Sequence, residues 1–566
     1  MRWTLKPIPD IDKVKQLQEA LQVDQNIATL LVQRGIENFE QAKAFFRPSL
    51  ADLHDPFLMQ DMDIAVNRIE QAIKLNQRIL VYGDYDVDGT TSVALMSSYL
   101  RNYTENVVCY IPDRYKEGYG ISYQGINFAH DNEFDLIIAL DCGIKAVDKV
   151  DYAQKKGLDF IICDHHRPGP EIPKAAAVLN PKRPDCNYPY KELCGCGVGF
   201  KLIQALEKNQ GRGIEFLTPY LDLVATAIGA DIVPITGENR ILAYYGLQVI
   251  NSSPRVGFQA IIKEINKKNL SITDVVFIIA PRINAAGRME HALRAVDLML
   301  TTDPKEAQEM AQAIDRFNQD RRETDKKITQ EALSQIKSLK EEERTTTVVY
   351  QKNWHKGVIG IVASRLTETY YRPTLVFTKS GEKLAASARS VNGFDLYAAL
   401  EACQDFIEQF GGHKYAAGLT LKEENYSLFK QKFEQVVQQQ INPKLLEPEI
   451  NIDLKLDFKS VTPKFYRILS QFAPFGPGNP APIFMTENLK ENGFSKQVGA
   501  DKNHLKCSLN QRGSTYIFSG IGFNLGKYHH NLRKAKSCSA VYSLEENEWN
   551  GQTTLQLKLR DLDFRN

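Results

Sequence analysis

The chain has 566 residues, 43% hydrophobic and 25% charged, with a net charge of +1 at pH 7. At roughly 150 residues per domain that is room for about four domains, and the composition excludes a disordered or collagen-like chain. No stretch approaches the roughly 18 consecutive apolar residues of a membrane span, and MRWTLKPIPDIDK lacks the apolar region of a signal peptide, so no membrane partner and a cytoplasmic location are expected.

Residues 1–60 read as a helical extension broken by Pro7, Pro9, Pro48 and Pro56. Over 61–302, short apolar runs each end in a polar cluster: RILVYGDYDVDG, VVCYIPDR, FDLIIALDCGI, DFIICDHH and AAVLNP. Continuous apolar strands alternating with helices predict an α/β domain with a doubly wound parallel sheet, in which ligands bind beyond the carboxyl ends of the strands. Helical patterning dominates from about 198 to 300. Asp303-Pro304 then marks a helix start, and 303–344 predicts a long bridging helix. Asn318–Lys327 within it has no large apolar residue, which predicts a segment solvated all round.

A second, smaller α/β domain is expected over 345–442, from the strands TTTVVYQK and RPTLVFT and the helix GVIGIVASRLTETYY between them. Over 443–566, short alternating strands with Gly and Asn turns (INIDLKLDF, STYIFSGIGF, CSAVYSL, TTLQLKL) predict a small β-barrel. From Asn451 onward the net charge is +6, against −5 for the rest, a weak pointer to nucleic acid. The nine cysteines are too scattered for a disulfide framework. Cys194-Gly195-Cys196, even with Cys186, lacks a second pair to complete four zinc ligands and reads as small residues in a turn.

Four constellations carry chemistry. Asp84, Asp86 and Asp88 alternate directly after the strand RILVY, and their mutual repulsion is costly without a cation. An EF-hand loop is excluded, because Leu95 stands where its Glu is required and a strand precedes the run. Asp141 ends a second strand and Asp164-His165-His166 a third. The fourth is Asp231, at the end of the apolar run LVATAIGAD and preferred for that reason over Asp222. Carboxylates with imidazole suit Mn²⁺ or Mg²⁺, with zinc a further option.

GDYDVDG, LDCGI, DHH and GADIVP resemble the four motifs of the DHH phosphoesterases, and Gly411-Gly412-His413 resembles the signature of their DHHA1 domain. RINAAGRM (282–289), WHKGVIGIVASRL (354–366), SARS (387–390) and APFGPGNPAPIF (473–484) are similar to a bacterial branch of that family specific for single strands. The resemblance implies that Asp84, Asp86, Asp88, Asp141, His165 and Asp231 bind a pair of divalent ions, Mn²⁺ or Mg²⁺, with Asp141 between them. It implies that Asp164 orients His165 and that His166 faces the scissile phosphate. The implied activity is 5′→3′ digestion of single-stranded DNA to 5′-mononucleotides in recombination and repair, downstream of a separate helicase and alongside a single-strand-binding protein.

Reading a 5′ end calls for phosphate donors, and Arg389 with Ser387, Arg288 and Arg114 are the candidates. Asn284, Gly412 and His413 join them as expected substrate contacts, and His355 is expected between domains. The barrel resembles an oligonucleotide-binding (OB) fold. Its Lys502, Lys506, Arg512, Lys527, Arg533, Lys534 and Lys536 are suited to phosphates. Tyr516, Phe518, Phe523 and Tyr528 offer rings for bases, at least half of them expected in the barrel core. The rival readings are a DHH hydrolase of short oligonucleotides, cyclic dinucleotides or pyrophosphate, a non-catalytic DHH scaffold, and a plain single-strand-binding protein.

Overall fold

The computed structural model describes residues 1–265, 267, 269–549 and 551–564. The chain starts with a strand, β1 (Arg2–Leu5), then helices α1 (Ile11–Leu21), α2 (Gln25–Val32) and α3 (Phe39–Phe46). Asp10, Asp24 and Asn38 cap these helices by accepting from first-turn amides. Their apolar faces make no core of their own. Val14, Leu17, Ile27, Leu30 and Leu31 share one cluster with Leu456, Phe458, Phe465, Phe472 and Phe484 from the far end of the chain. The expected helical extension therefore folds as part of the C-terminal unit.

The first sheet consists of β2 (Ile79–Gly83), β3 (Val107–Tyr110), β4 (Leu136–Leu140), β5 (Asp159–Cys163) and β6 (Ala177–Leu179), all parallel, in the order β3-β2-β4-β5-β6. Its central strands are apolar on both sides because both faces are covered. Ile79, Val81, Ile138 and Leu140 enter one core, and Leu80, Tyr82, Ile137 and Ala139 the other. The order reverses between β2 and β4, so the crevice expected of an open parallel sheet lies at their carboxyl ends. Helices α4 (Val87–Leu100), α5 (Gly195–Asn209), α6 (Leu221–Ala230), α7 (Gly237–Ser252) and α8 (Ala280–Met289) complete the larger core.

Helix α9 (Pro304–Ser338) starts at Asp303, which accepts from Lys305 N and Glu306 N. Its polar middle is not solvated all round, contrary to expectation. Asn318 and Asp325 are buried, Arg321 donates to Asn318 at 2.5 Å, and Asp325 is ion-paired at 2.6 Å with Arg365 of α10 (Ile359–Tyr370). Polar residues are buried there because charged partners come from the same helix and from α10.

That sheet has the order β10-β11-β9-β8-β7, from β7 (Thr347–Tyr350), β8 (Thr374–Ser380), β9 (Lys383–Arg389), β10 (Gln409–His413) and β11 (Ala416–Lys422). The Gly-rich segment around His413 is thus an antiparallel hairpin, and SARS begins at the end of β9. Strand β12 (Glu449–Ile452) pairs in parallel with β1. The remaining strands are β13 (Leu454–Lys455), β14 (Phe484–Glu491), β15 (Lys496–Val498), β16 (His504–Gln511), β17 (Ile517–Gly522), β18 (Cys538–Trp549) and β19 (Gln552–Asp563). The ring β14-β18-β19-β17-β16 closes through β14 and β16, giving the expected barrel. Phe518 is in its core and Tyr528 packs against it, whereas Tyr516 and Phe523 are exposed.

Candidate active site

The first carboxylates sit where β2 meets α4. Asp84 follows the strand, Asp86 caps the helix by accepting from Gly89 N at 3.0 Å, and Asp88 lies in its first turn. Asp88 is fully engaged on the far side: its two oxygens accept from Gly195 N at 2.6 Å and Cys196 N at 2.8 Å, at the start of α5. Those amides are unpaired by geometry at any helix N-terminus and favour a carboxylate. Gly195 has a second duty, since a Cβ there would lie 2.6 Å from Asp141 Oδ1. The Cys-Gly-Cys turn thus supports the acidic cluster through its backbone, a role its thiols gave no sign of.

Asp141 follows β4 in a left-handed conformation (φ 59°), with its N–H donating to Cys163 O at 2.8 Å. Asp164-His165-His166 follows β5. Asp231 ends a helix, α6, whereas the other three constellations follow strands. An apolar helix buried on all sides leaves the same sequence trace as a buried strand. Asp222 is held by Arg255 at 2.8 Å, away from this group, as a structural ion pair.

These side chains converge. His165 Nε2 is 3.2 Å from Asp141 Oδ1, 3.5 Å from Asp231 Oδ2 and 3.8 Å from Asp88 Oδ2. Ligand atoms of Asp88, His165 and Asp231 lie within 4.8 Å of one another, as do those of Asp141, His165 and His166. No cysteine belongs to either group among the described residues. Burial, then repulsion from Asp86, pushes the Asp84 carboxyl up to about 8 and that of Asp88 up to about 7. Burial, then Asp88, pushes Asp231 up to about 8, and burial with Asp88 drives Asp141 well above the carboxylate range. Burial, then the charge of His166, lowers His165 to about 3, so it is neutral. Asp84 Oδ2, Asp141 Oδ1 and His165 Nε2 have no hydrogen-bond partner among the described residues. Buried acceptors that repel one another and lack donors are the chemistry of a divalent-cation site with oxygen and imidazole ligands.

Asp164 serves His166, not His165 as expected. Its Oδ1 is 2.7 Å from His166 Nδ1 and also accepts from the amides of His165 and His166, while Oδ2 accepts from Ile144 N. Burial opposes the charges of both, yet the pair holds Asp164 down at about 2 and His166 up at about 9. His166 Nε2 is 3.2 Å from the hydroxyl of Tyr119, a residue the sequence did not single out.

A second cluster is cationic. Arg288 at the end of α8 donates to Gly357 O at 2.7 Å, and burial, then repulsion from Arg114, Arg321 and Arg389, lowers it to about 10. Arg321 is a member that its charged helix concealed. Arg114 stacks 3.9 Å over the ring of Tyr85, between Asp84 and Asp86 in sequence, and its buried Nε has no partner among the described residues. A Cβ on Gly360 would lie 2.9 Å from Ser387 Oγ and 3.3 Å from Arg389 Nη2, which places both against the first turn of α10. Asn284 is half-buried one turn before Arg288. Gly412 and His413 are exposed on the β10–β11 hairpin. Partial burial of the ring, then repulsion from His166, Lys145 and Arg389, lowers the His413 pKa. His355 faces Tyr115 edge-on at 6.3 Å, across the same divide.

Comparison with known proteins places the chain in a family. Residues 78–228 match the DHH family N-terminal domain, 343–439 the DHHA1 domain and 452–561 the RecJ OB domain. A Bacillus subtilis protein named single-stranded-DNA-specific exonuclease RecJ is 39% identical over 99% of this chain and 70% of its own length. The chain belongs to the RecJ family of DHH phosphoesterases. RecJ of Escherichia coli is 34% identical over 88% of this chain and 89% of its own. A crystal structure of RecJ from Thermus thermophilus in complex with Mn²⁺ superposes with a TM-score of 0.85 at 28% identity, covering 99% of this chain and 79% of that one. The same RecJ with Mg²⁺ superposes with a TM-score of 0.77. Among the described residues no helix is long and apolar enough to cross a membrane.

Proposed function

We propose that this chain is a single-strand-specific 5′→3′ exodeoxyribonuclease that hydrolyses phosphodiester bonds and releases 5′-mononucleotides. The observation that carries the proposal is a buried carboxylate–histidine cluster joined to an arginine cluster through Arg114, which stacks on the ring of Tyr85 between Asp84 and Asp86. The RecJ names and the Mn²⁺ and Mg²⁺ complexes of relatives support it.

Asp84, Asp86, Asp88, Asp141, His165 and Asp231 would hold two divalent ions, Mn²⁺ or Mg²⁺. Such ions supply a nucleophile at neutral pH and stabilise charge on the leaving 3′ oxygen. The rest of the work falls to the chain. His165, kept neutral by burial, offers a lone pair rather than a competing charge. His166, kept protonated by Asp164, donates from Nε2 toward the scissile phosphate when that oxygen replaces Tyr119. The amides of Gly195 and Cys196 fix Asp88 from behind.

Arg114, Arg288, Arg321 and Arg389, with Ser387, Asn284, Gly412 and His413 around them, would grip the 5′-terminal phosphate. Four guanidinium groups near one another favour a dianion over the single charge of an internal phosphate. The cleft between the two α/β sheets would admit one strand, and the barrel would hold the chain leading into it. Lys502, Lys506, Arg512, Lys527, Arg533, Lys534 and Lys536 would neutralise its phosphates. The working context is recombination and repair in the cytoplasm, with a separate helicase and a single-strand-binding protein delivering the strand.

The test is label release from single-stranded DNA in Mn²⁺ with nuclease-resistant linkages at one end or the other. Chelator-sensitive release of 5′-mononucleotides, blocked only by 5′ protection, is expected. Turnover of dinucleotides or pyrophosphate with DNA left intact would overturn the substrate and polarity.

A further inference from the structure

The motif APFGPGNPAPIF lies outside both clusters, in the C-terminal unit, yet it touches the segment that carries Asp231. Gly476 and Asn479 pair as a tight turn, with reciprocal backbone hydrogen bonds of 3.0 Å. The turn reaches across to the catalytic side, where Ile235 N donates to Pro477 O at 2.7 Å. The fit permits no extra atom. A Cβ on Gly476 would lie 2.6 Å from Ile235 Cγ1, and one on Gly478, whose φ is +74°, would lie 2.9 Å from Thr236 Cγ2.

Behind the turn, Asn479 donates to the carbonyls of Phe472 and Pro474 and accepts from Arg34. Arg240 of α7 gathers the carbonyls of Phe472, Ala473 and Phe45 at 2.9–3.2 Å. The turn is therefore a rigid part fastened to the catalytic domain.

Between the clamp and Asp231 lies Ile232, with φ +60° and 67% of its surface exposed. A β-branched residue resists the left-handed region, and a side chain this exposed has little packing to compensate. Such a conformation persists only where its two ends are fixed. One end is fixed by Asp231 N donating to Ala227 O at the close of α6. The other is fixed at Pro234, whose carbonyl is held within the domain by Asn239 and Tyr190, and at Ile235, held by Pro477.

We infer that the Gly476–Asn479 turn of the C-terminal unit is a positioning element for the carboxylate of Asp231, so that the completeness of the metal centre depends on the docking of a domain that supplies none of its ligands. The inference rests on the reading of Asp231 as a metal ligand.

Mn²⁺ binding by calorimetry, Mn²⁺-dependent kinetics and single-strand binding in chelator test it on the full chain. Gly478→Ala is expected to weaken one Mn²⁺ site roughly tenfold, as loss of outer-shell support does. It should lower kcat at fixed Mn²⁺, recover at higher Mn²⁺, and leave KM and chelated DNA binding unchanged. Asn479→Ala, which loosens the turn from behind, is expected to do the same more weakly. Ile232→Asn tolerates the left-handed conformation. It should change little alone and should restore most of the Mn²⁺ affinity in the Gly478→Ala background.

Loss of activity with unchanged Mn²⁺ affinity, or no restoration by Ile232→Asn, overturns the positioning role. Asp231→Asn separates the two failures: unchanged Mn²⁺ stoichiometry there overturns the ligand assignment itself.

Discussion

Asp164 Oδ1 lies 2.7 Å from Nδ1 of His166, and the same oxygen accepts from the amides of His165 and His166. One carboxylate thus fixes both the turn after β5 and the ring orientation of its last residue. A carboxylate partner favours the imidazolium. Asp164→Asn should lower the His166 pKa from about 9 toward the ordinary value. It should cut single-turnover cleavage by about 10–100-fold, the range for loss of such supporting partners. A pH titration of the imidazole proton resonances checks the first part. An unmoved His166 would separate it from Asp164.

Asp141 is buried within the cluster, with a left-handed backbone, 3.2 Å from His165 Nε2. Asp141→Ala should abolish cleavage by more than about a thousandfold, because the residues acting on the phosphate work as a unit. Binding of single-stranded DNA should remain, since the barrel and arginine cluster are untouched. Fluorescence anisotropy with a labelled oligonucleotide, beside a cleavage assay, checks both. Retained Mn²⁺-dependent cleavage would remove Asp141 from its central place.

The strand-end residues were legible in the sequence because buried parallel strands are continuous apolar runs with abrupt polar ends. All five such runs form the sheet. Less visible was whatever depends on distant partners. Asp231 was found, but on a helix end. Arg321 was hidden in a run of charged residues, and Asp325 looked solvated because its partner Arg365 lies forty residues on. The docking of the first three helices onto the barrel left no local trace, since an amphipathic face does not say what covers it. Strands β14 and β16 escaped notice: a register shift between Thr486 and Leu489 breaks the alternation of β14, and β16 alternates through only Leu505, Cys507 and Leu509 among polar residues.

Removing divalent ions should make stability depend on pH. Asp84, Asp88 and Asp231 have folded pKa values near 8, 7 and 8, above the roughly 3.9 of a free Asp. The folded state then holds protons that the unfolded state has lost, so stability falls as pH rises through the folded values. His165, at about 3, works in the opposite direction, but only below the ordinary histidine pKa of about 6.5. From about pH 6.5 to 8 the slope should be downward, on the order of 1 kcal/mol per pH unit for each proton released. Mn²⁺ should flatten it. Urea unfolding at a series of pH values, in chelator and in Mn²⁺, checks this; a chelated protein equally stable at pH 6.5 and 8 would contradict it.

The arginine cluster should set the response to the 5′ end. Arg389 has no carboxylate to neutralise it among its described partners, and burial lowers its pKa. A charge-assisted hydrogen bond is worth about 1.5–3 kcal/mol, or roughly 10–150-fold. Arg389→Ala should reduce the preference for a 5′-phosphate over a 5′-hydroxyl by about that factor, with little effect on Mn²⁺ binding. Comparing kcat/KM on the two substrates checks it. Equal losses on both would assign Arg389 to general strand binding.

The four barrel aromatics divide by burial, and their substitutions should divide likewise. Tyr516 and Phe523 are 49% and 54% exposed, whereas Phe518 is 9% exposed and packs edge-on against Phe458. Base stacking on an exposed ring contributes about 1–3 kcal/mol. Tyr516→Ala and Phe523→Ala should therefore weaken binding of long single strands by roughly 5–150-fold each, with an unchanged unfolding midpoint. Cleavage of an oligonucleotide too short to reach the barrel should be unaffected. Phe518→Ala opens a cavity instead and should cost about 3–5 kcal/mol of stability. Binding isotherms and melting curves for the three variants distinguish the effects. Should Tyr516→Ala melt early and bind normally, its ring belongs to the fold, and the strand crosses the barrel elsewhere.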